Sequence, residues 1–580
     1  MSTFRKLRQS VAQILTITRL STAGPGWVKG GGLFAFLLAA SLTQIYISTL
    51  FIDWNKDFYD ALQKIEISET IRQTWIFLAL TAASAGLYLC GEYVRKILLI
   101  FWRQRLNDKI LDVWLDDKSY WRMQPGMGDL GIDNPDQRIA EDCRVFIEHL
   151  LEHTIDLITR VVGLFTYLTI LWSLASFPLH FTLLDVGITV PYYLVWLAFL
   201  YVFGSSLMTH WLGAPLKGLL FMQQKREADY RFSLTRIRDW SDSIAMTGGE
   251  AAERKLLDER FDNILTNWRK VIKREFILGC FRRPYFQTVL QVPLFFALPM
   301  YLAGHVTFGG LMQVRSAFSR VVNSLSWFIF EYPKLADWVA TTNRLTGFLD
   351  AADAVKSETE GIVTIETDDT ALIATGLHIQ TPTGRPLVLP SDFAIRKGEH
   401  IWLRGPSGSG KTTLLKVLAG LWTFGEGHLS RPANWSPFFV SQDPYFPLSG
   451  LLGAATYPFG PERYSVQQVA EGMQTIGLAH RADGLGVQTN DVVSGLSGGE
   501  KQRLAFLRML ISRPDWIFLD EATSALDREA EAELIALLLR SLPEATIIFV
   551  SHRAPLAGKR WREFDVGNAT ETTRIGETDK

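Results

Sequence analysis

Cysteine is scarce in this sequence. Only Cys90, Cys143 and Cys280 occur in 580 residues. They are widely separated and in no spacing that metal ligands use, so they read as free thiols. An excess of charge of either sign is also lacking: 59 Lys and Arg stand against 60 Asp and Glu, a formal net charge of −1. A nucleic-acid partner, which selects a strongly basic surface, is not expected. Charged residues make up 21% of the chain, below the ~25% of an average domain. Residues 1–30 lack the short apolar core and cleavage site of a signal peptide.

The first half has long uncharged runs instead. Residues 33–52 carry no charge and are long enough to cross a bilayer, which takes about 20 residues at 1.5 Å each. Residues 73–91 and 284–304 are similar runs, and 161–176 is the core of another. A fourth in chain order, 186–216, is longer than needed and is interrupted by Pro191. The last, 306–330, is weakened by Arg315 and Arg320. This pattern predicts an all-α polytopic domain of six membrane helices over residues 31–349. The connections 92–156 and 217–283 are strongly charged and too long for turns, so they are expected to be helices continuing out of the membrane. Residues 1–30 hold Arg5, Lys6, Arg8, Arg19 and Lys29 without one acid, which places that end in the cytoplasm. Residues 177–185 have no Lys or Arg and suit the outer side.

One face of the sixth run is polar. At about 100° per residue, Gln313, Ser316, Arg320, Ser324, Trp327 and Glu331 fall within an arc of roughly 100°. A charge facing lipid costs at least about 2.5 kcal/mol near the bilayer centre, so this face is expected to line a wet substrate cavity. The alternative is that Arg320 pairs with an acid and only holds helices together.

Residues 350–361 are charged and small and suit a linker. From 362 to 580 short strands alternate with helices and no long apolar run appears, which predicts a soluble α/β domain. Gly405-Pro406-Ser407-Gly408-Ser409-Gly410-Lys411-Thr412 is a complete phosphate-binding loop between an apolar strand, 400–404, and a helix start. Its glycines let backbone N–H groups approach phosphates, and the helix N-terminus favours negative charge. Lys411 is expected on the β- and γ-phosphates of ATP, Thr412 on Mg²⁺ and Thr413 beside them. Trp516-Ile-Phe-Leu-Asp520-Glu521 is an apolar strand ending in two acids. Buried carboxylates are costly without a cation, so Asp520 is expected to hold Mg²⁺ and Glu521 to polarise the attacking water. Between the two lies Leu496-Ser497-Gly498-Gly499-Glu500-Lys501-Gln502-Arg503, a second anion-binding helix start. One fold cannot easily aim both helix ends at one phosphate, whereas two copies facing head to tail can.

The Ser497–Arg503 run resembles the signature sequence of the ATP-binding cassette (ABC) ATPases. By that resemblance, Gln442 lies in a loop that reaches Mg²⁺ and the γ-phosphate, Ser524-Ala-Leu-Asp527 looks like the D-loop, and His552 looks like the switch histidine. The aromatic residue that many such domains stack on adenine is absent, since its place falls near Thr381. In the first half, Asp53-Trp-Asn-Lys-Asp-Phe-Tyr-Asp60, Asn134-Pro-Asp-Gln-Arg-Ile-Ala-Glu-Asp142 and Ser243-Ile-Ala-Met-Thr-Gly-Gly-Glu250 are similar to motifs of the YddA-like bacterial transporters. Those are related to the SbmA/BacA peptide importers and to the peroxisomal fatty-acyl transporters of subfamily D. A purely structural role in helix packing is the alternative for these three motifs.

The resemblance implies an exporter-type half-transporter in the cell (inner) membrane, multi-pass, with the amino end and ATPase domain cytoplasmic. It implies a homodimer that moves a small molecule or peptide, peptide-like, hydrophilic or acyl-CoA-like, by hydrolysing ATP with Mg²⁺. Residues 134–142 and 244–254 are the expected contacts that carry the motion. An ATP-gated channel or sensor on the same cassette is the alternative.

Overall fold

The computed structural model describes residues 2–124, 135–175, 178–183, 186–357, 361–486, 493, 495–555 and 561–566. The chain divides into two compact units. One joins Met1–Asp112 to Asn134–Phe348, and the other joins Val113–Asp133 to Leu349–Lys580.

In the first unit five helices are long and apolar enough to cross a membrane: Trp27–Gln63, Ile67–Arg122, Pro135–Leu174, Tyr193–Asp239 and Glu250–Leu302. The expected sixth, Phe308–Phe330, is a helix of 23 residues. Its arginines and small polar residues keep it below the apolarity of the other five, yet it packs against four of them: Trp27–Gln63, the Cys143–Leu174 part of the third, Tyr193–Asp239 and Glu250–Leu302. The reason lies in its spacing. Val314, Ala317, Phe318, Val321 and Val322 form one helical stripe, and all five are fully buried.

The Tyr193–Asp239 and Glu250–Leu302 helices have 47 and 53 residues, or roughly 70–80 Å. That is more than twice the ~30 Å hydrocarbon core, so each runs on well past it, as the charged connections lead one to expect. The two stay together along their length. Tyr201 stacks on Tyr285 at 4.9 Å, and the Asn267 amide donates to Gln223 Oε1 and Leu219 O, both at 2.9 Å. Between them a short helix, Ser241–Thr247, ends at Gly248 in the left-handed region and leaves Trp240 and Met246 exposed.

Two expectations for this unit need correction. The fourth membrane helix starts at Tyr193, because Val186–Val190 is a strand paired antiparallel with Leu179–Leu183, Phe181 opposite Ile188. Four of its five residues are β-branched, and Pro191 removes the next ladder donor. Residues 177, 184 and 185 lie outside the described residues. Gln313, expected on the cavity, is instead buried with its amide donating to Asp53 Oδ1 at 2.9 Å.

That bond belongs to a wider clamp. Asp60 Oδ1 accepts from Gly309 N at 2.8 Å and Asp60 Oδ2 from the Thr307 hydroxyl at 3.0 Å. A carboxylate thus satisfies donors at the start of the Phe308–Phe330 helix, where a negative charge is favoured. Any Cβ at position 309 would overlap the Lys56 carbonyl oxygen. The Asp53–Asp60 motif therefore fixes one helix to another.

In the motif at 134–142, Asn134 lies outside the described residues, and Arg138–Asp142 forms a π-helical turn. Asp142 is buried. It accepts two bonds from Arg344, at 2.7 and 2.8 Å, and one from Arg138 at 3.1 Å. Arg344 sits on the Tyr332–Ser357 helix, which runs through residues 350–357 of the expected linker.

The second unit holds two sheets. One is parallel, with strands in the order Arg562–Asp565, His400–Arg404, Thr546–Val550, Trp516–Asp520, Pro437–Val440. The other orders Val363–Thr367, Gly425–Pro432, Leu372–Ile379 and Phe393–Ile395. The central strands of the parallel sheet are apolar at nearly every position and buried, as covering on both faces requires. The described part of the Val113–Asp133 segment, residues 113–124, joins this unit through a stacked basic–aromatic contact. Lys416 lies over the rings of Trp121 and Trp422, at 5.9 and 5.7 Å.

Candidate functional site: the nucleotide edge and a membrane cavity

Four strands of the parallel sheet lie side by side and point the same way, so their carboxyl ends share one edge. The register puts Leu403 and Asp520 both opposite Val550, and Val440 opposite Leu519. The phosphate loop, Gln442, Asp520–Glu521 and His552 each follow one of these ends. A crevice at the carboxyl ends of such strands is where open α/β sheets bind ligands.

The loop from Gly405 to Gly410 leads into the Lys411–Leu418 helix. Gly405 and Gly410 have φ of 156° and 98°, conformations that side chains rarely adopt. Lys411 is buried, and its ammonium donates to the carbonyls of Gly405 at 2.8 Å and Pro406 at 3.0 Å. The buried Ser409 hydroxyl has no partner among the described residues. Ser407 and Gly408 are exposed, and Thr413 is half-buried on the first helical turn. Backbone donors, an ammonium and an orphan hydroxyl so gathered can hold phosphate oxygens.

The Thr412 hydroxyl is hydrogen-bonded to the Asp520 carboxylate. Burial pushes that carboxyl above its ordinary value, while Thr412 and Lys411 pull it down. Hard oxygen donors in a half-dry place fit Mg²⁺, which takes few protein ligands and completes its shell with phosphates and water. Gln442 is exposed two residues beyond the end of its strand.

Glu521 follows with φ 51°, an uncommon conformation for a side-chain-bearing residue, held by its N–H donating to Val550 O at 3.0 Å. Its Oε1 lies 3.0 Å from His552 Nε2. A carboxylate and an imidazole in contact beside the phosphate loop can orient and deprotonate a water.

Ser497 caps the Gly498–Ser512 helix in a full capping box: its hydroxyl accepts from Glu500 N, and Glu500 accepts from Ser497 N at 2.8 Å. Arg481, 2.8 Å from Glu500, holds that carboxyl well below the usual range, with Ser497 and His480 adding to the effect. Gly498 and Gly499 form the first turn behind the cap. Asp527 caps the next helix, Arg528–Ser541, its Oδ1 accepting from Ala530 N at 2.8 Å.

Two residues that sequence reasoning did not single out join these pieces. Gln502, buried, accepts from Ala525 N at 3.0 Å and donates to Gln442 O and the Ser524 hydroxyl, each at 3.2 Å. Arg508 is buried too, donating to Ala454 O and Tyr445 O, with its guanidinium 4.4 Å from the Phe446 ring; burial brings its pKa down to about 10. A polar residue one helical turn behind the capping box was the available signal for Gln502. Thr381, where an adenine-stacking aromatic is missing, closes a hairpin on itself. Its N–H donates to Arg385 O at 2.8 Å and its hydroxyl accepts from Arg385 N at 3.1 Å.

In the membrane unit, Arg320, Ser324, Trp327 and Glu331 stand on the wall of a cavity of about 780 Å³, while Ser316 is not on it. Asp156, Arg160 and Tyr167 of the third membrane helix line the facing wall.

Comparison with known proteins gives the following likenesses. Residues 20–301 match the family described as ABC transporter transmembrane region 2, and residues 389–524 match that described as ABC transporter. Over 525 residues the chain is 32% identical to an uncharacterized ABC transporter ATP-binding protein of Haemophilus influenzae, covering 90% of this chain and 86% of that one. Over 553 residues it is 31% identical to the inner membrane ABC transporter ATP-binding protein YddA of Escherichia coli, covering 94% and 96%. The human lysosomal cobalamin transporter ABCD4 is 25% identical over 577 residues, covering 92% and 91%.

Proposed function

Since the chain belongs to the ABC transporters, which couple ATP hydrolysis to transport across a membrane, we propose that two copies of it form the transporting unit. Each of two ATP sites is then shared. One copy gives Lys411, Thr412, Gln442, Asp520, Glu521 and His552, and the other gives Ser497 and Gly499. Mg²⁺ supplies positive charge to the phosphates when bound at Thr412 and Asp520. Around it, Lys411 neutralises the β- and γ-oxygens, and Glu521, steadied by His552, orients the attacking water. The cargo is peptide-like, hydrophilic or acyl-CoA-like and passes through the cavity beside Arg320. The basic residues 1–30 support a cytoplasmic amino end, in an inner membrane like that named for the YddA relative. The exposed Trp240 and Met246, at the end of a helical pair, are surfaces suited to receive motion from an ATPase domain.

The observation that carries turnover, over gating by ATP binding alone, is the 3.0 Å contact of Glu521 with His552. A gate needs ATP held, whereas this pair serves water attack. Mixing copies tests the shared sites. Ser497→Arg and Lys411→Ala are each expected to abolish ATPase activity alone. Together they rebuild one site in each mixed dimer and restore part of it. No recovery on mixing, with dimers of both variants demonstrated, would refute sites that work singly across the interface, and an active monomer would refute the dimer.

A further inference from the structure

The cavity is electrically polarised along its length. Its two facing helices run in opposite directions. Arg320 lies over the Tyr167 ring at 6.0 Å, Trp327 is hydrogen-bonded to Asp156, and Lys334 is 2.9 Å from Glu152. As one number rises the other falls. Arg320 to Glu331 and Tyr167 to Asp156 are the same number of residues, so both walls span about 16 Å between these levels.

The two ends differ in how their charges are matched. At the Glu331 end the cavity is lined by Glu92, Glu152, Asp156 and Glu331. Arg95 is taken by Glu92 at 2.8 Å, and Arg160 stands one turn from Asp156. Lys334 alone serves both Glu152 and Glu331, at 2.9 and 3.2 Å. Among the residues that line it, that end carries four carboxylates and two guanidiniums, while Lys334 and Lys96, the latter 3.9 Å from Glu92, stand outside the lining. At the other end Arg320 forms no ion pair among the described residues. It has only the Tyr167 ring, and it opens on the cavity. A guanidinium at membrane depth without a carboxylate is costly unless it meets water or a ligand anion.

We propose that the cavity binds a zwitterion lengthwise, its anionic group on Arg320 and its cationic group among the carboxylates near Glu331. A dianion of the same length meets the carboxylates, and a dication meets Arg320. The reading rests on this cavity being the cargo site proposed above.

The test uses the full chain in lipid nanodiscs without nucleotide, and three probes that share one chain length: 12-aminododecanoate, dodecanedioate and 1,12-diaminododecane. Equilibrium binding is expected to rank the zwitterion about tenfold tighter than either homolog. The short 6-aminohexanoate, unable to reach both ends, binds more weakly. Arg320→Gln removes the advantage of the zwitterion over the diamine, and Arg320→Lys keeps it. Equal binding of the dianion or the dication on the unmodified chain overturns the proposal, with no variant needed. So does a zwitterion affinity indifferent to Arg320→Gln. If that happens while mixed copies still recover ATPase activity, the zwitterion fails and the transporter reading stands. If mixing fails as well, the error lies in the earlier reading.

Discussion

The nucleotide edge and the Asp142 cluster both bury charge, and they do so in opposite ways. At the edge, the Lys411 ammonium donates to two carbonyls, and burial pushes the Asp520 carboxyl up against the pull of Thr412 and Lys411. In the proposed site, phosphates and a cation would complete the charges there. At Asp142 the chain completes its own set, one buried carboxylate against two guanidiniums, with Thr341 adding a bond to Arg344 at 3.0 Å. An unfinished site expresses its loss as lost chemistry. A finished one expresses it as lost stability, because removing one member leaves another buried without its partner.

Four outcomes break or sharpen that contrast. Glu521→Gln is expected to lower ATP hydrolysis by about 10²–10⁴-fold while ATP binding and thermal stability stay unchanged; near-normal turnover of the purified variant would remove Glu521 from the reaction. Asp142→Asn is expected to lower stability by about 2 kcal/mol, between the values for exposed and fully buried pairs. Denaturant unfolding reads it, and a variant as stable as the parent would mean that the cluster is not closed. Gln502→Ala sits between the two kinds of site. It is expected to cost about 1–3 kcal/mol of stability and to reduce ATPase activity several-fold, because the loops of Gln442 and Ser524 both lose their anchor. An effect on only one of the two readouts would assign Gln502 wholly to one kind. The smallest contrast is along the sixth membrane helix. Single cysteines at Arg320 and Asn323, both exposed on the cavity, are expected to react with a water-soluble thiol reagent severalfold faster than those at Gln313, Val314, Ala317 and Val321. Uniform labelling would dissolve the distinction between the cavity wall and the packed stripe.

The nucleotide edge was legible in the sequence because its parts are short and local. Eight consecutive residues make the phosphate loop, and an apolar strand delivers Asp520 and Glu521. What joins the parts was not legible. Gln502 reaches residues 60 and 22 positions away, and no local pattern states such a bond. The cap that Asp527 makes on the Arg528–Ser541 helix was open to simple chemistry, since an aspartate before a helix is a favoured cap. In the membrane half, helical periodicity grouped six polar positions of residues 313–331 on one face, of which Arg320, Ser324, Trp327 and Glu331 line the cavity and Gln313 and Ser316 do not. It could not say which neighbour each position meets. Gln313 meets Asp53, whereas Arg320, two face positions further along, opens on the cavity beside the Tyr167 ring. Hydropathy alone likewise merged the Val186–Val190 strand with the helix after it, since both are apolar and only their β-branching differs.

The clamp of Asp60 on Gly309 has a mechanical meaning. It makes the Phe308–Phe330 helix a lever with one fixed end. A slide of the helix along its axis by a turn would leave the Gly309 N–H and the half-buried Asp60 carboxylate unmatched, whereas a swing about that end would keep both bonds. Displacement then grows with distance from the pivot, least at Gln313 and greatest at Trp327 and Glu331. A swing of this helix about that end would change the width of the cavity most at its Glu331 end.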